Sequence, residues 1–140
     1  MNAFLTDPKK IWHSGPRVGK TPLPAYVWYD FVTRQIRPAK VSFRPRQDDL
    51  PGAKKQTPGY FQLVGTNEAD CNEDSQWQVL CQDLSGIPVE SLADRRSCQV
   101  RREDIRGQSF RCVGIRIVQV DSWEGKISFG GVRLWGFRDE

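Results

Sequence analysis

The stretch AYVWYDF, residues 25–31, decides the fold class of this chain. Its side chains fall into two alternating sets: Val27, Tyr29 and Phe31 on one side, and Tyr26, Trp28 and Asp30 on the other. A strict period of two is typical of a β-strand that packs one face on a hydrophobic core.

Similar runs recur along the chain and predict six further strands. They occupy residues 39–45, 59–65, 76–84, 97–101, 109–120 and 126–137. The nine prolines and twelve glycines fall mostly between these runs, where turns are expected. The segment VESLADRR, residues 89–96, predicts one or two helical turns. The sequence therefore predicts an all-β, antiparallel β-sandwich of the jelly-roll type, with residues 1–140 forming a single domain.

Composition excludes several functional classes. The chain has 140 residues, 38% hydrophobic residues and a net charge of +4. No apolar run approaches the length of a membrane span, and no secretory signal is visible at the start. Acidic residues interrupt the arginines of DRRSCQVRRED, residues 94–104, so we do not predict a nucleic-acid partner. An acidic polysaccharide or an anionic lipid surface remains open.

Four cysteines, Cys71, Cys81, Cys98 and Cys112, allow three disulfide pairings. They lack the closely spaced pairs of a zinc site, and the chain has one histidine. The even count favours disulfides and a secreted or extracellular protein, with four buried free thiols as the alternative. We expect Cys71–Cys81 and Cys98–Cys112, because each pair would close a strand–turn–strand segment.

Two kinds of active site are not predicted. GPRVGKT, residues 15–21, resembles a phosphate-binding loop, but three residues rather than four separate its first glycine from the Gly-Lys pair. Pro22 and Pro24 also obstruct the helix that should follow. A nucleophile–histidine pair has only His13 to use, and the adjacent Ser14 does not oppose it. We therefore expect no enzyme.

Several motifs together resemble the discoidin family, also called coagulation factor V/VIII type C domains. They are WHS (12–14), AYVWYDF (25–31), FQLVGTNEADCNEDSQWQVL (61–80), FRCVGIRI (110–117) and VRLWGF (132–137). The resemblance covers about residues 3–137 and rests on the order and spacing of these motifs. Family members have a further strand before the point that matches Asn2. We expect this domain to lack that strand. The alternatives are a trimmed piece of a longer domain, a variant without the strand, and a domain that another chain completes.

The resemblance implies a galactose-binding-like jelly roll without catalytic activity. Members of the family bind glycans, phospholipid headgroups or proteins through loops at one end of the sandwich. We therefore predict a recognition module whose partner is a glycan or glycoprotein. The alternative is an adhesion or scaffold module that binds a protein, a heparin-like chain or an anionic lipid surface.

A sugar site in such loops needs an aromatic face for the C–H surface of the sugar and charged groups for its hydroxyls. The loops expected at one end are 5–20, 44–58 and 121–126. The predicted ligand-binding residues in them are His13, Arg17, Arg44, Arg46 and Trp123. His13 as a structural histidine, and Arg44 or Arg46 paired with a nearby aspartate, are the alternatives. The Arg–x–Asp pattern of fucose lectins is absent, so we do not predict fucose specificity.

No cofactor is predicted, and calcium is the metal that the resemblance allows. It would be held by Asp7 and backbone carbonyl groups of the early loop. DCNEDS, residues 70–75, opens like an EF-hand loop, but Ser75 and Cys81 occupy the positions of its glycine and closing glutamate. An EF-hand is therefore excluded.

Overall fold

The computed structural model describes residues 2–3, 11–13, 25–44, 58–84, 95–120 and 128–137. The strands in these ranges are β1 (Asn2–Ala3), β2 (Ile11–His13), β3 (Ala25–Asp30), β4 (Pro38–Arg44), β5 (Pro58–Thr66), β6 (Gln78–Asp83), β7 (Arg96–Gln99), β8 (Cys112–Val120) and β9 (Ser128–Gly136). The helix α1 (Arg102–Ile105) joins β7 to β8. No helix in the described ranges is long and apolar enough to cross a membrane.

The strands form two antiparallel sheets, as the alternating pattern predicts. The five-stranded sheet has the order β1-β9-β4-β7, and β2 also pairs with β9. The four-stranded sheet has the order β3-β8-β5-β6. The predicted all-β sandwich is confirmed, and its core lies between the two sheets.

Side chains from both sheets fill this core. Val41 and Phe43 enter it from β4, while Lys40, Ser42 and Arg44 alternate with them on the outer face. The rings of Phe43 and Phe61 are fully buried and meet edge to face, with centroids 4.8 Å apart. Other buried core residues from the two sheets are Leu63, Ile115, Ile117 and Leu134.

The sandwich has two distinct ends. We call one the loop pole: β2 and β4 end there at His13 and Arg44, and β9 begins there at Ser128. In the four-stranded sheet β5 begins at Pro58 and β8 ends at Val120, and these two residues pair. Phe43 lies one residue before the end of β4, and Phe61 lies three residues after the start of β5. Because their rings are in contact, these two strand ends lie at the same end of the sandwich. The opposite end, the far pole, carries residues 31–37, residues 67–77 and α1.

At the far pole, the segment 67–77 folds over the outer face of the four-stranded sheet. Trp77 stacks on Tyr26, with ring centroids 6.1 Å apart, and contacts Trp28 at 6.0 Å. Its indole N–H donates to the carbonyl of Asn72. Gly114 lies beside Trp28, where an added Cβ would come within 2.7 Å of the Trp28 Cβ. The sequence therefore needs glycine at 114 for the strands to approach.

The four cysteines form two disulfides, but the pairing expected from sequence is wrong. The bonds are Cys71–Cys112 and Cys81–Cys98. Cys81 on β6 and Cys98 on β7 both face the core from matching edges of the two sheets, so their bond joins the sheets. Cys112 belongs to the outer face that the 67–77 segment covers, which brings Cys71 to it. Cys81 pairs with Cys98 rather than with Cys71, because the chain changes sheet between β6 and β7.

The helix also differs from the sequence expectation. Arg96, the last residue of the predicted helical turns at 89–96, begins β7 instead, and residues 89–94 lie outside the described residues. The observed helix α1 follows β7 and buries Ile105 against the core. Four residues are too few to show an amphipathic period, so no helical pattern is visible there in the sequence.

Asp30 and Arg111 form an ion pair at the far pole. The Asp30 carboxylate accepts hydrogen bonds from Arg111 Nε at 3.0 Å and from the backbone N–H of Val32 at 2.8 Å. These bonds, with that of Arg111 the largest cause, hold the pKa of Asp30 below its ordinary value.

The Asp30 interaction should make stability depend on pH in the acid range. Because the folded-state pKa is lower than the unfolded one, the stabilisation is complete above the unfolded pKa of about 3.9. It is lost as the pH falls through the folded-state pKa. Urea unfolding between about pH 2 and pH 6 should show wild type more stable than Asp30→Asn at pH 6, with the difference vanishing at the acid end. A difference that is independent of pH would contradict this assignment.

Candidate functional site

The register of the five-stranded sheet places two predicted ligand-binding residues at the loop pole. Ile11 of β2 and Arg44 of β4 pair with the two sides of Gly130 in β9. His13 lies two residues further along β2 and pairs with Ser128. Two strand spacings and two residues of rise separate the backbones of His13 and Arg44, which corresponds to about 12 Å. Residues distant in sequence thus share one end of one sheet.

The other predicted site residues are not placed by the structure. Arg17, Arg46, Trp123 and Asp7 lie outside the described residues, and for His13 the description covers the backbone. Their roles in ligand or calcium binding stay predictions.

Three arginines meet on the outer face of the five-stranded sheet near the loop pole. Arg44 is the last residue of β4, Arg95 directly precedes β7, and Arg133 lies on β9 opposite Ser42. We call Arg44, Arg95 and Arg133 the arginine cluster. Of these three arginines, Arg44 alone belongs to the ligand-binding residues predicted from the sequence. The alternation of β4 and β9 would also have put Arg44 and Arg133 on the same face.

Hydrogen bonds fix the position of Arg95 above the sheet. Its Nε and Nη2 donate to the hydroxyl of Ser42, at 3.1 and 2.9 Å, and its Nη2 also donates to the carbonyl of Gly131. Ser42 is itself buried. The guanidinium is therefore held before any ligand arrives.

Gly131 makes the close approach of two guanidinium groups possible. Its φ of +58° lies in the left-handed region that favours glycine. A Cβ at this position would lie 2.9 Å from Arg44 Nε and 3.5 Å from Arg95 Nη1. Both groups therefore pack over a backbone that carries no side chain, and another residue here would displace Arg44.

The positive charge of the cluster has no carboxylate to balance it within the described ranges. No described Asp or Glu forms an ion pair with any of the three arginines. Burial lowers the pKa of Arg95, and the nearby charges of Arg133 and Arg44 lower it further. The Nε of Arg44 is buried and has no hydrogen-bond partner among the described residues. The arrangement is electrostatically unfavourable for the protein alone and favours an anion above it.

A polar row crosses the outer face of the four-stranded sheet. Arg116 donates to the Gln62 side chain at 2.6 Å, and Gln62 donates to Gln82 at 2.9 Å. The Arg116 guanidinium also lies over the Tyr26 ring, 5.9 Å from its centroid. The side chains of this row are hydrogen-bonded to one another. The row is therefore a weaker candidate for a ligand site than the arginine cluster.

One group of metal-ligating residues lies in the described ranges, and it does not fit a metal. Atoms of Asp30, Cys71 and Cys112 lie within 4.8 Å of one another. Both sulfur atoms are consumed by the Cys71–Cys112 bond, and the carboxylate is paired with Arg111. The residues of the EF-hand-like stretch bond to one another instead, with Asn72 accepting from the backbone N–H of Asp74.

Several solved structures share this architecture. The C-terminal domain of a chitobiase from Bacteroides fragilis is 14% identical, with a TM-score of 0.60 over 94% of this chain and 75% of that one. CBM32-3, from a family 31 glycoside hydrolase of Clostridium perfringens, is 12% identical, with a TM-score of 0.64 over 94% and 78% of the two chains. A chitosan-binding module from a chitosanase/glucanase of Paenibacillus sp. IK-5 is 8% identical, with a TM-score of 0.60 over 93% and 79%.

No model of a protein family matches this chain, and no curated protein sequence matches it. At identities this low, the similarity establishes the architecture of the chain and leaves its ligand open. The chain has the galactose-binding-like β-sandwich fold, which it shares with CBM32-3 and the chitosan-binding module.

Proposed function

We propose that this chain is a non-catalytic carbohydrate-binding module of discoidin type, which binds a glycan at the loop pole. The observation that carries the proposal is the register that puts His13 and Arg44 at one end of one sheet. The fold supports it, because the similar chains include CBM32-3 and a chitosan-binding module. Arg17, Arg46 and Trp123 complete the proposed site, and Asp7 its calcium site.

The chemistry of the loop pole suits a neutral or acidic sugar. A guanidinium carries five N–H donors in a rigid fork, which can bond two adjacent sugar oxygens at once. Arg44 is the last residue of β4, and the residue before it, Phe43, is fully buried. The core therefore holds the backbone of Arg44 in place. A site built on strand ends needs little ordering when the ligand binds, which favours affinity.

The titratable groups support recognition rather than catalysis. Hydrolysis of a glycosidic bond commonly requires one carboxyl group with a raised pKa near a second carboxylate. The hydrogen bond from Arg111 instead lowers the pKa of Asp30, and this carboxylate lies at the far pole. The two disulfides fit a secreted or extracellular protein. The alternative, an adhesion module for proteins or anionic membranes, has less support from the structural comparisons.

Replacing both His13 and Arg44 with alanine should abolish glycan binding. Loss of even one charge-assisted hydrogen bond in the site should weaken binding by at least about 10-fold. The melting temperature should change little, because the buried Nε of Arg44 makes no hydrogen bond to a described residue. A glycan array at low and high salt, followed by calorimetry with the best ligand, would measure the effect.

Arg101→Ala is the matched control for this experiment. Arg101 is exposed at the far pole, where it pairs with Asp104, and its removal changes the net charge as Arg44→Ala does. The control should bind glycans as wild type does. Binding that survives the double change would place the site elsewhere. If the wild-type protein binds no glycan on the array but binds anionic lipid vesicles, the adhesion alternative is supported.

A further inference from the structure

The arginine cluster brings together three positive charges that the described part of the chain does not neutralise. Arg95 is locked by Ser42 and by the Gly131 carbonyl, so it cannot move away from Arg44 without losing those bonds. Arg44 in turn lies against the bare backbone of Gly131. A fold that only needed a soluble surface would place such side chains apart, in water. The geometry instead keeps them close.

We propose that Arg44, Arg95 and Arg133 form a binding site for the anionic substituent of a glycan, a carboxylate or a sulfate, so that the module selects acidic sugars. The inference rests on the proposed function for the identity of the ligand as a glycan. It adds Arg95 and Arg133 as specificity-determining residues beside the predicted set.

The donors of the cluster suit a single compact anion. Arg95 uses Nε and Nη2 within the protein, while its Nη1 makes no hydrogen bond to a described residue. Arg133 is exposed on β9, the strand beside β4. Guanidinium groups bind carboxylate and sulfate-like oxygens bidentately, which gives both strength and orientation. An anion between them would attract each guanidinium group and so offset the mutual repulsion of the arginines.

The size of the cluster argues against an extended polyanion such as a nucleic acid. It spans β4, β7 and β9, three adjacent strands, or about 10 Å. Polyanion-binding surfaces rely on basic residues arranged along a longer stripe. The position beside Arg44 also continues directly into the proposed sugar site at the loop pole. One substituent of a bound sugar, rather than a chain of phosphates, fits this distance.

Two single substitutions separate the anion site from the sugar site. Calorimetry should compare a neutral galacto-oligosaccharide, an oligogalacturonate and a sulfated galactan oligosaccharide, with an array covering other neutral and acidic glycans. Arg95→Gln and Arg133→Gln should each weaken binding of the acidic ligands by about 10-fold or more, because each loses a charge-assisted hydrogen bond. They should leave any neutral ligand within about twofold. Arg101→Gln, with the same charge change at the far pole, should bind acidic ligands as wild type does.

Inorganic sulfate gives a test that does not depend on the sugar. Titration of sodium sulfate against sodium chloride at constant ionic strength should shift the NMR signals of the Arg44 and Arg95 side-chain N–H groups. Arg133→Gln, an exposed substitution that should not affect folding, should reduce the shifts. The arms of the calorimetry distinguish carboxylate from sulfate as the preferred group.

The outcomes for the two proposals are distinct. Binding of neutral glycans with no preference for acidic ones, or acidic binding that Arg95→Gln and Arg133→Gln leave intact, would overturn the anion site and leave the carbohydrate module standing. Failure to bind any glycan, together with a sulfate response at Arg44 and Arg95, would refute the carbohydrate module and retain the anion site. No response to sulfate and no acidic binding would overturn the anion site outright.

Discussion

Replacing Cys71 and Cys112 together with alanine is expected to lower the free energy of unfolding by about 4 kcal/mol. The bond spans 41 residues, and the entropy that a disulfide removes from the unfolded chain grows with the length of the closed loop. Alanine is preferable to serine, because Cys112 is fully buried and a hydroxyl there would lack a partner. Equilibrium urea unfolding, followed by circular dichroism, measures the change.

The second disulfide provides the comparison. The sequence separation of Cys81 and Cys98 is 17, so their replacement should cost about 3 kcal/mol by the same relation. Glycan affinity of the folded Cys71→Ala, Cys112→Ala protein should match that of wild type, because this bond lies at the far pole. A loss of less than about 1 kcal/mol would contradict the entropic account. A loss of affinity would show that the two poles are coupled.

Phe61→Ala is expected to destabilise the protein by about 3–5 kcal/mol, the usual range for removing a buried phenyl ring. The ring is fully buried and packs against Phe43 between the two sheets, near the loop pole. Its loss removes apolar burial and leaves a cavity between the sheets. Because Phe43 directly precedes Arg44, the loss of the ring should also loosen the backbone at Arg44. We therefore expect weaker glycan binding at the loop pole. Urea unfolding reports the first effect, and calorimetry with the best glycan reports the second.

Two further substitutions make this result specific. Phe61→Leu keeps most of the buried volume and should cost about 1.5 kcal/mol or less. Tyr29→Ala removes an aromatic ring of which 47% is exposed, and should cost less than Phe61→Ala by a wide margin. Equal losses for Phe61→Ala and Tyr29→Ala would contradict the placement of the core between the sheets.

The fold could be predicted from sequence because strand alternation is a local signal. Val27 and Phe31 in β3, and Val41 and Phe43 in β4, alternate with polar or outward residues and face the core as expected. Strand bounds shifted by a few residues, since pairing with neighbours decides where a strand ends. The prediction of the disulfide pairing was wrong because the pairing depends on which sheet each strand joins. No short stretch of sequence carries that information.

The site was less accessible to sequence reasoning. The position of Arg44 at a strand end could be predicted because it directly follows the core residue Phe43. Arg95 and Arg133 are 38 residues apart in sequence and meet through the order of β4, β7 and β9. Sheet order is a property of the whole chain, so their proximity could not be read from either segment. The buried Nε of Arg44 likewise appears only once Gly131 is packed beneath it.

The pairing of β1 with the end of β9 has a practical consequence for attaching this chain to other proteins. Asn2 pairs with Gly136, so the two ends of the described chain lie side by side, away from His13 and Arg44. A partner fused at either end would therefore lie on the side opposite the loop pole. Tandem copies or surface-immobilised protein could then present every loop pole outward, and a short linker would suffice.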